Sequence, residues 1–369
     1  MNQAIRVMQL ASGDLWAGAE VQLYTLCCEL LKRNDIKLKV VLLNYGELER
    51  RLKAKNIEVM VVDESKMGFF SIVYSVLSSC YRLKPNIIHS HGYKVNLIAG
   101  VCRLFACVPS IRTAHGASEF TVDRFSISGL LQEVDMLIGR KIQSKVVAVS
   151  EDLKGILLPE FGRSKLEVIR NGVNVERTEG DYINPFNTQA FNIGIVGRLT
   201  PVKRVDIFLQ MVVALKEQSF SKVLRFYVLG DGPLKEELNV KCLSLGIDDQ
   251  VQFLGQVPSA IEYIKGLDVL VMCSDHEGTP MTLLEALSVE TPIVAHDVGG
   301  LRELLNGGAC GVLVSEHTAS AYAEKVKMLL DHPKQTVELI HNGKNFLNEH
   351  YTAERNAASY VKLYQTWSQ

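Results

Sequence analysis

Two stretches of alternating β-rich and helical pattern, separated by a polar segment, constrain this chain more than any other feature. In the first stretch, Val/Ile/Leu-rich runs predict strands at Ile5–Leu10, Leu38–Leu43, Glu58–Val62, Asn86–His89, Ser110–Thr113, Val146–Val149 and Leu166–Ile169. Helical patterns fall between them, among them Ala19–Lys32 and Tyr93–Cys107. Strands that alternate with helices build βαβ units and a parallel sheet. Residues 176–190, ERTEGDYINPFNTQA, carry no apolar period and read as a linker. The alternation then restarts. Strands are expected at Phe191–Val196, Leu224–Leu229, Val251–Leu254, Val269–Met272, Ile293–Ala295 and Gly311–Val314. Helices are expected at Val205–Gln218, Leu234–Leu245, Pro280–Leu287 and Ala319–Asp331, and a last one near Ala353–Trp367. The fold class is therefore α/β, with two doubly wound, Rossmann-like domains. The boundaries are 1–175, a linker at 176–190, 191–350, and a C-terminal helix within 351–369 that packs back on the first domain. In such sheets ligands bind outside the carboxyl ends of the strands, so a central cleft faced by those ends is the expected site.

The chain has 369 residues, which at roughly 150 per domain also suggests two domains. A hydrophobic content of 47% excludes disorder. Cysteines stand at 27, 28, 80, 102, 107, 242, 273 and 310, with no C-x-x-C and no histidine at zinc-finger spacing. They read as free buried thiols in a reducing compartment. MNQAIRVMQLASG has too short an apolar run for a signal peptide, and no stretch reaches 18 apolar residues. A cytoplasmic location is expected. Residues 1–174 hold 23 Lys+Arg against 17 Asp+Glu, while the rest hold 17 against 24. A nucleic-acid footprint does not fit a chain of pI 6.8. The basic half is either a solvated face or a surface that docks on an anionic membrane, peripherally and from the inner side.

The loops after the strands carry the chemistry. SGDLWAGAEVQLYTL places Gly13, Gly18 and Ala19 just before a helix, where small residues admit an anion to the free N–H groups. A tight turn explains them equally well. The spacing is neither G-x-G-x-x-G nor a Walker A loop. His115–Gly116 ends another strand; a lone histidine is more often structural than functional. Gly197, Arg198, Lys203 and Arg204 follow the strand that opens the second half, and such cations neutralise a diphosphate. LGDGP at 229–233 is either a structural turn or a ligand contact. In CSDHEGTPMTLLEAL, Thr279 is the expected N-cap and Pro280 the first helical residue. Gly278, Thr279, Pro280, Met281 and Thr282 then form a second anion site, flanked by the carboxylates of Glu277 and Glu285. Gly299–Gly300 offers a further backbone approach or a plain turn.

These residues resemble a family. AGAEVQLYTL (17–26), TAHG (113–116), VAVSEDLK (147–154), VIRNGVN (168–174), GIVGRLTPVKRVD (194–206), LGDGP (229–233), VQFLGQV (251–257) and EGTPMTLLEAL (277–287) resemble, in order, the retaining GT-B glycosyltransferases of family 4. Glu277 and Glu285 match the family's E-x7-E. The resemblance implies transfer of a sugar from a UDP- or GDP-sugar to an acceptor hydroxyl, with retention at the anomeric carbon. It implies that Arg198 and Lys203 bind the diphosphate and that Glu285 holds the ribose diol. Glu277 and the backbone of Gly278–Thr282 would hold the sugar and phosphate. Gly18 would meet the phosphates, Gln256 and Val257 the base, and His115 the transferred sugar. His115, Arg198, Lys203 and Glu277 form the implied catalytic set, with no metal and no cofactor. The sequence departs from the family in AGAE for GGAE, in Thr279–Pro280–Met281, and in VETP at 289–292.

A saccharide or lipid-linked saccharide acceptor, in surface polysaccharide, lipopolysaccharide or glycolipid synthesis, fits the basic first half and the apolar helix Phe69–Leu83. Core packing is the competing use of that helix. A GT-B sugar-nucleotide epimerase and a non-catalytic nucleotide-sugar binder are the alternatives.

Overall fold

The computed structural model describes residues 4–116, 127–175 and 184–367. The chain divides into two compact units, Met1–Gly172 with Ala353–Gln369, and Val173–Thr352. The first unit runs β1 (Ile5–Ala11), α1 (Gly18–Leu31), β2 (Ile36–Leu42), α2 (Glu47–Ala54), β3 (Glu58–Val61), α3 (Phe69–Leu83), β4 (Ile87–His91), α4 (Tyr93–Phe105), β5 (Ser110–Ala114), α5 (Ile127–Lys141), β6 (Lys145–Ala148), α6 (Glu151–Phe161) and β7 (Leu166–Val168). The second runs β8 (Phe191–Val196), a 3-10 turn (Pro201–Lys203), α7 (Val205–Lys216), β9 (Leu224–Leu229), α8 (Lys235–Ser244), β10 (Val251–Gly255), α9 (Ala260–Lys265), β11 (Val269–Met272), α10 (Met281–Ser288), β12 (Ile293–His296), α11 (Leu301–Leu304), β13 (Val312–Val314), α12 (Ala319–Asp331) and α13 (Pro333–His350). Helix α14 (Ala353–Trp367) returns to the first unit.

Both sheets are parallel. Their strand orders are β3-β2-β1-β4-β5-β6-β7 and β10-β9-β8-β11-β12-β13. Each order reverses once, between β1 and β4 and between β8 and β11. At such a reversal the loops leave the two strands in opposite directions and open a crevice at their carboxyl ends.

The first sheet is buried on both faces, as parallel sheets are. Met8, Leu10 and Ile88 pack with α3 and α4, and Val7, Ile87 and Ile111 pack with α1 and α14. Period-2 alternation therefore puts Gln9, His89, His91 and Thr113 on the α1/α14 face. All four are buried. This corrects the expected end of β4 at His89: the strand runs on to His91, because the histidine ring nitrogens are bonded inside the unit rather than in a turn.

Other expectations shift too. Of the presumed linker, 176–183 lies outside the described residues. The remainder is no free tether, since Phe186 is buried between Tyr227 and Tyr263. Helix α13 was not expected, because only Gly343 and Leu347 of its 18 residues are buried and the apolar period is faint. Helix α3 packs in the core through Ile72, Val76 and Cys80, while Phe70 and Tyr74 remain 87% and 73% exposed. Cys107 is exposed, not buried. Among the described residues no helix is long and apolar enough to cross a membrane.

Candidate functional site

In the second unit several of the candidate side chains gather where the strand order reverses. Strand β8 leads into Gly197 and Arg198, and the 3-10 turn brings Lys203 back over Gly197. The loop after neighbouring β11 carries Ser274 to Glu277. The Lys203 ammonium donates to Glu277 Oε1 at 2.6 Å, and Ser274 Oγ donates to the same oxygen at 2.6 Å. Glu277 Oε2 has no partner among the described residues. Two donors thus fix the carboxylate and leave one oxygen to accept from a hydroxyl. Arg198 is exposed, and its guanidinium makes no hydrogen bond or ion pair among the described residues.

Glycines hold this arrangement from behind. The Glu277 carbonyl accepts from Gly300 N–H at 2.9 Å. A Cβ on Gly299, whose φ is +55°, would stand 2.4 Å from that carbonyl oxygen. Gly299–Gly300 is thus a close backbone approach to Glu277. A Cβ on Gly230 would meet the Gly197 carbonyl at 2.0 Å, so LGDGP packs against the Gly197–Arg198 turn and serves structure.

Helix α10 begins one residue later than expected. Pro280, with ψ 128°, is the N-cap, and Thr279 is not. Leu283 and Leu284 donate to the Pro280 carbonyl, and Met281 and Thr282 supply the first-turn N–H groups. Gly278 and Thr279 are buried, and Glu285 stands half-buried on the second turn. Gln256 is exposed and Val257 half-buried just past β10. Arg204 is ion-paired with Asp206 and Asp275 at 3.0 and 3.1 Å. The structure adds neighbours that sequence reasoning missed. His296 and His317 stack at 3.8 Å and bond the Ser274 and Cys273 carbonyls, and His276 Nε2 is buried with no partner among the described residues.

In the first unit, Gly18 is exposed as the first residue of α1, and the Glu20 carboxylate accepts from Ala17 N–H. His115 follows β5 and is half-buried. Its Nε2 lies 3.1 Å from His91 Nδ1, and the rings stack. Behind His91 lie Gln9, Tyr364, His89 and Thr113, joined by hydrogen bonds of 2.7–3.0 Å. Burial keeps these imidazoles neutral: it pushes His89 down to about 3, His115 to about 4, and His91 well below its ordinary range. A cavity of about 620 Å³ in this unit is lined by Leu43, Met67, Phe69, Tyr93, Leu97 and Ile138. Among the described residues no three His, Cys, Asp or Glu side chains converge to hold a metal ion.

Two family models match the chain. One described as "Glycosyltransferase Family 4" covers residues 16–177, and one described as "Glycosyl transferases group 1" covers 177–346. An uncharacterized glycosyltransferase of Methanocaldococcus jannaschii is 27% identical, over 92% of this chain and 93% of its own. The Escherichia coli UDP-Gal:alpha-D-GlcNAc-diphosphoundecaprenol alpha-1,3-galactosyltransferase is 24% identical, over 69% of this chain and 70% of its own. The Anabaena protein HepE in complex with UDP-glucose superposes with a TM-score of 0.85 at 19% identity, over 98% of this chain and all of that one.

Proposed function

We propose that this chain, which belongs to glycosyltransferase family 4 and has its two-domain α/β GT-B fold, transfers a sugar from a UDP-sugar to a lipid-linked saccharide with retention. The observation that carries the reading is the Lys203–Glu277–Ser274 constellation where β8 and β11 diverge. The departing diphosphate develops negative charge as the glycosidic bond breaks. Lys203, Arg198 and the first-turn N–H groups of Met281 and Thr282 stabilise that charge. Glu277, oriented through Oε1, offers Oε2 to a sugar hydroxyl. Glu285 accepts from the ribose diol, and Gln256 and Val257 meet the base. Gly18 approaches the phosphates, and His115 contacts the transferred sugar. No metal enters this scheme.

The uridine base is inferred because UDP-galactose and UDP-glucose are named for the two relatives. The lipid-linked acceptor rests on the Escherichia coli relative's diphosphoundecaprenol substrate, and the apolar cavity beside α3 and the exposed Phe70 and Tyr74 support it. The test is incubation with UDP-sugars, with and without undecaprenyl-diphosphate saccharides, and NMR of the product's anomeric configuration. Acceptor-dependent release of UDP with an α-linked product from an α-linked donor is expected. Donor turnover without acceptor would make the chain an epimerase or hydrolase, and binding without turnover a carrier.

A further inference from the structure

Two carbonyls of the loop after β11 fall past Met272, the last paired residue of that strand. Cys273 and Ser274, which carry them, are 0% and 1% exposed, so leaving either carbonyl without a donor is costly. Histidines from two other parts of the unit satisfy them. His296, the last residue of β12, places Nδ1 2.8 Å from the Ser274 carbonyl oxygen. His317, between β13 and α12, places Nε2 2.8 Å from the Cys273 carbonyl oxygen. A carbonyl only accepts, so His296 carries a proton on Nδ1 and His317 carries one on Nε2. The pairing of β12 with β13 sets His296 opposite Val314, three residues before His317. The two rings meet face to face, with centroids 3.8 Å apart and planes at 29°. Tyr322 of α12, fully buried, closes edge-on against His317. Burial, and then His296, hold the proton affinity of His317 below its ordinary value, so this ring is neutral at neutral pH. Its Nδ1 stands 3.5 Å from Asp275 Oδ1 and has no proton to give there. Arg204 donates to that oxygen instead, at 3.1 Å, and the Asp275 N–H donates to the Val202 carbonyl at 2.8 Å. The loop is therefore tied on one side to the turn that carries Lys203, and on the other to the two histidines.

We propose that His296 and His317 are positioning residues: their ring N–H groups hold the Ser274 and Cys273 carbonyls, and so hold Ser274 where its hydroxyl orients Glu277. The inference rests on the reading above that Glu277 accepts from a hydroxyl of the donor sugar. It adds that hydrogen bonds from the rings, and not their stacked bulk alone, set where Glu277 Oε2 stands. Among the described residues neither histidine bonds Lys203 or Glu277 itself. Their effect therefore falls on the sugar end of the site and leaves the cations to hold the diphosphate.

The experiment compares two kinds of variant of the full-length protein. His296→Leu removes the donor and keeps most of the bulk, while His296→Asn puts an amide N–H where Nδ1 stood. His317→Leu and His317→Gln do the same for Nε2. The two Leu variants should lower kcat about tenfold, the scale of one buried hydrogen bond. Their UDP affinity, by calorimetric titration, should change little, and the Asn and Gln variants should recover most of kcat. Leu and amide variants impaired alike would show that ring packing alone matters and overturn the proposal, as would Leu variants with unchanged kcat. A loss of UDP affinity that matches the loss of kcat would show a general collapse of the site and overturn it too. 15N NMR of the unaltered protein with ring-labelled histidine tests the proposal even if a Leu variant does not fold, with the signals assigned by their loss in the Asn and Gln variants. His296 protonated on Nδ1 and His317 protonated on Nε2 are expected; a bare nitrogen at either place would overturn the proposal. Unchanged transfer by Glu277→Gln would defeat the underlying sugar-contact reading instead. The two failures are distinguishable because ring-proton positions do not depend on turnover.

Discussion

Lys203 and Glu277 are 74 residues apart in sequence, and a single 2.6 Å contact joins them. Each partner neutralises the other in a partly exposed setting, at 23% and 12% side-chain exposure. A diphosphate would compete for the ammonium. Lys203→Ala should therefore weaken UDP binding about tenfold or more while leaving uridine little changed, the scale of a hydrogen bond to a charged group. Arg198→Ala should act in the same direction. Calorimetric titration of both ligands decides it, and equal loss on the two would remove the phosphate assignment. Glu285→Gln should abolish the preference for UDP over its 2′,3′-dideoxy analogue in the same assay; a retained preference would move the ribose elsewhere. Gly299→Ala is a sharper probe of the backbone. The added methyl would meet the Glu277 carbonyl, in a left-handed conformation that itself costs about 1–2 kcal/mol. Displacement of Glu277 should lower kcat with little change in UDP affinity. Steady-state kinetics and titration separate the two effects.

At the scale of elements, the strands among the described residues were legible because most are Val/Ile/Leu-rich runs, largely buried, between polar loops. Their ends lie within two residues of the expected positions. The charged half of the candidate site was also legible, since strand ends, glycines and a Pro-started helix mark it locally. Ser274, His296 and His317 were not, because single polar residues reach their places only through tertiary contact. The run IIHSH (87–91) misled for the same reason. Its expected strand stopped at His89 and left out His91, and the partner of His89, Tyr364 of α14, comes 275 positions later. That packing has a consequence for stability. His89 is neutral and fully buried, with its folded pKa pushed down to about 3 from an ordinary 6.5. Unfolded His89 binds a proton below pH 6.5 and folded His89 does not. Its contribution is therefore present in full above pH 6.5 and is lost as pH falls toward 3. At pH 5 the first unit should be less stable than at pH 8 by about 2 kcal/mol from this residue alone. Urea titrations at the two pH values test this, with His89→Gln expected to reduce the difference by about 2 kcal/mol. An equal difference in the variant would contradict it.

For the whole molecule, two units share one design, a parallel sheet whose strand order reverses once. The reversal in the second unit carries the cations and carboxylates, and that in the first carries the neutral histidine chain. This division fits one unit that binds a dianionic nucleotide and another that handles uncharged hydroxyls. The central claim is that the second unit holds a nucleoside diphosphate by Lys203, Arg198 and the start of α10, without a metal. The most direct test is calorimetric titration of the unaltered protein with UDP, GDP, ADP and UMP in EDTA. UDP should bind best of the four and UMP far more weakly. UMP binding as well as UDP, or no diphosphate binding until a divalent cation is restored, would contradict it.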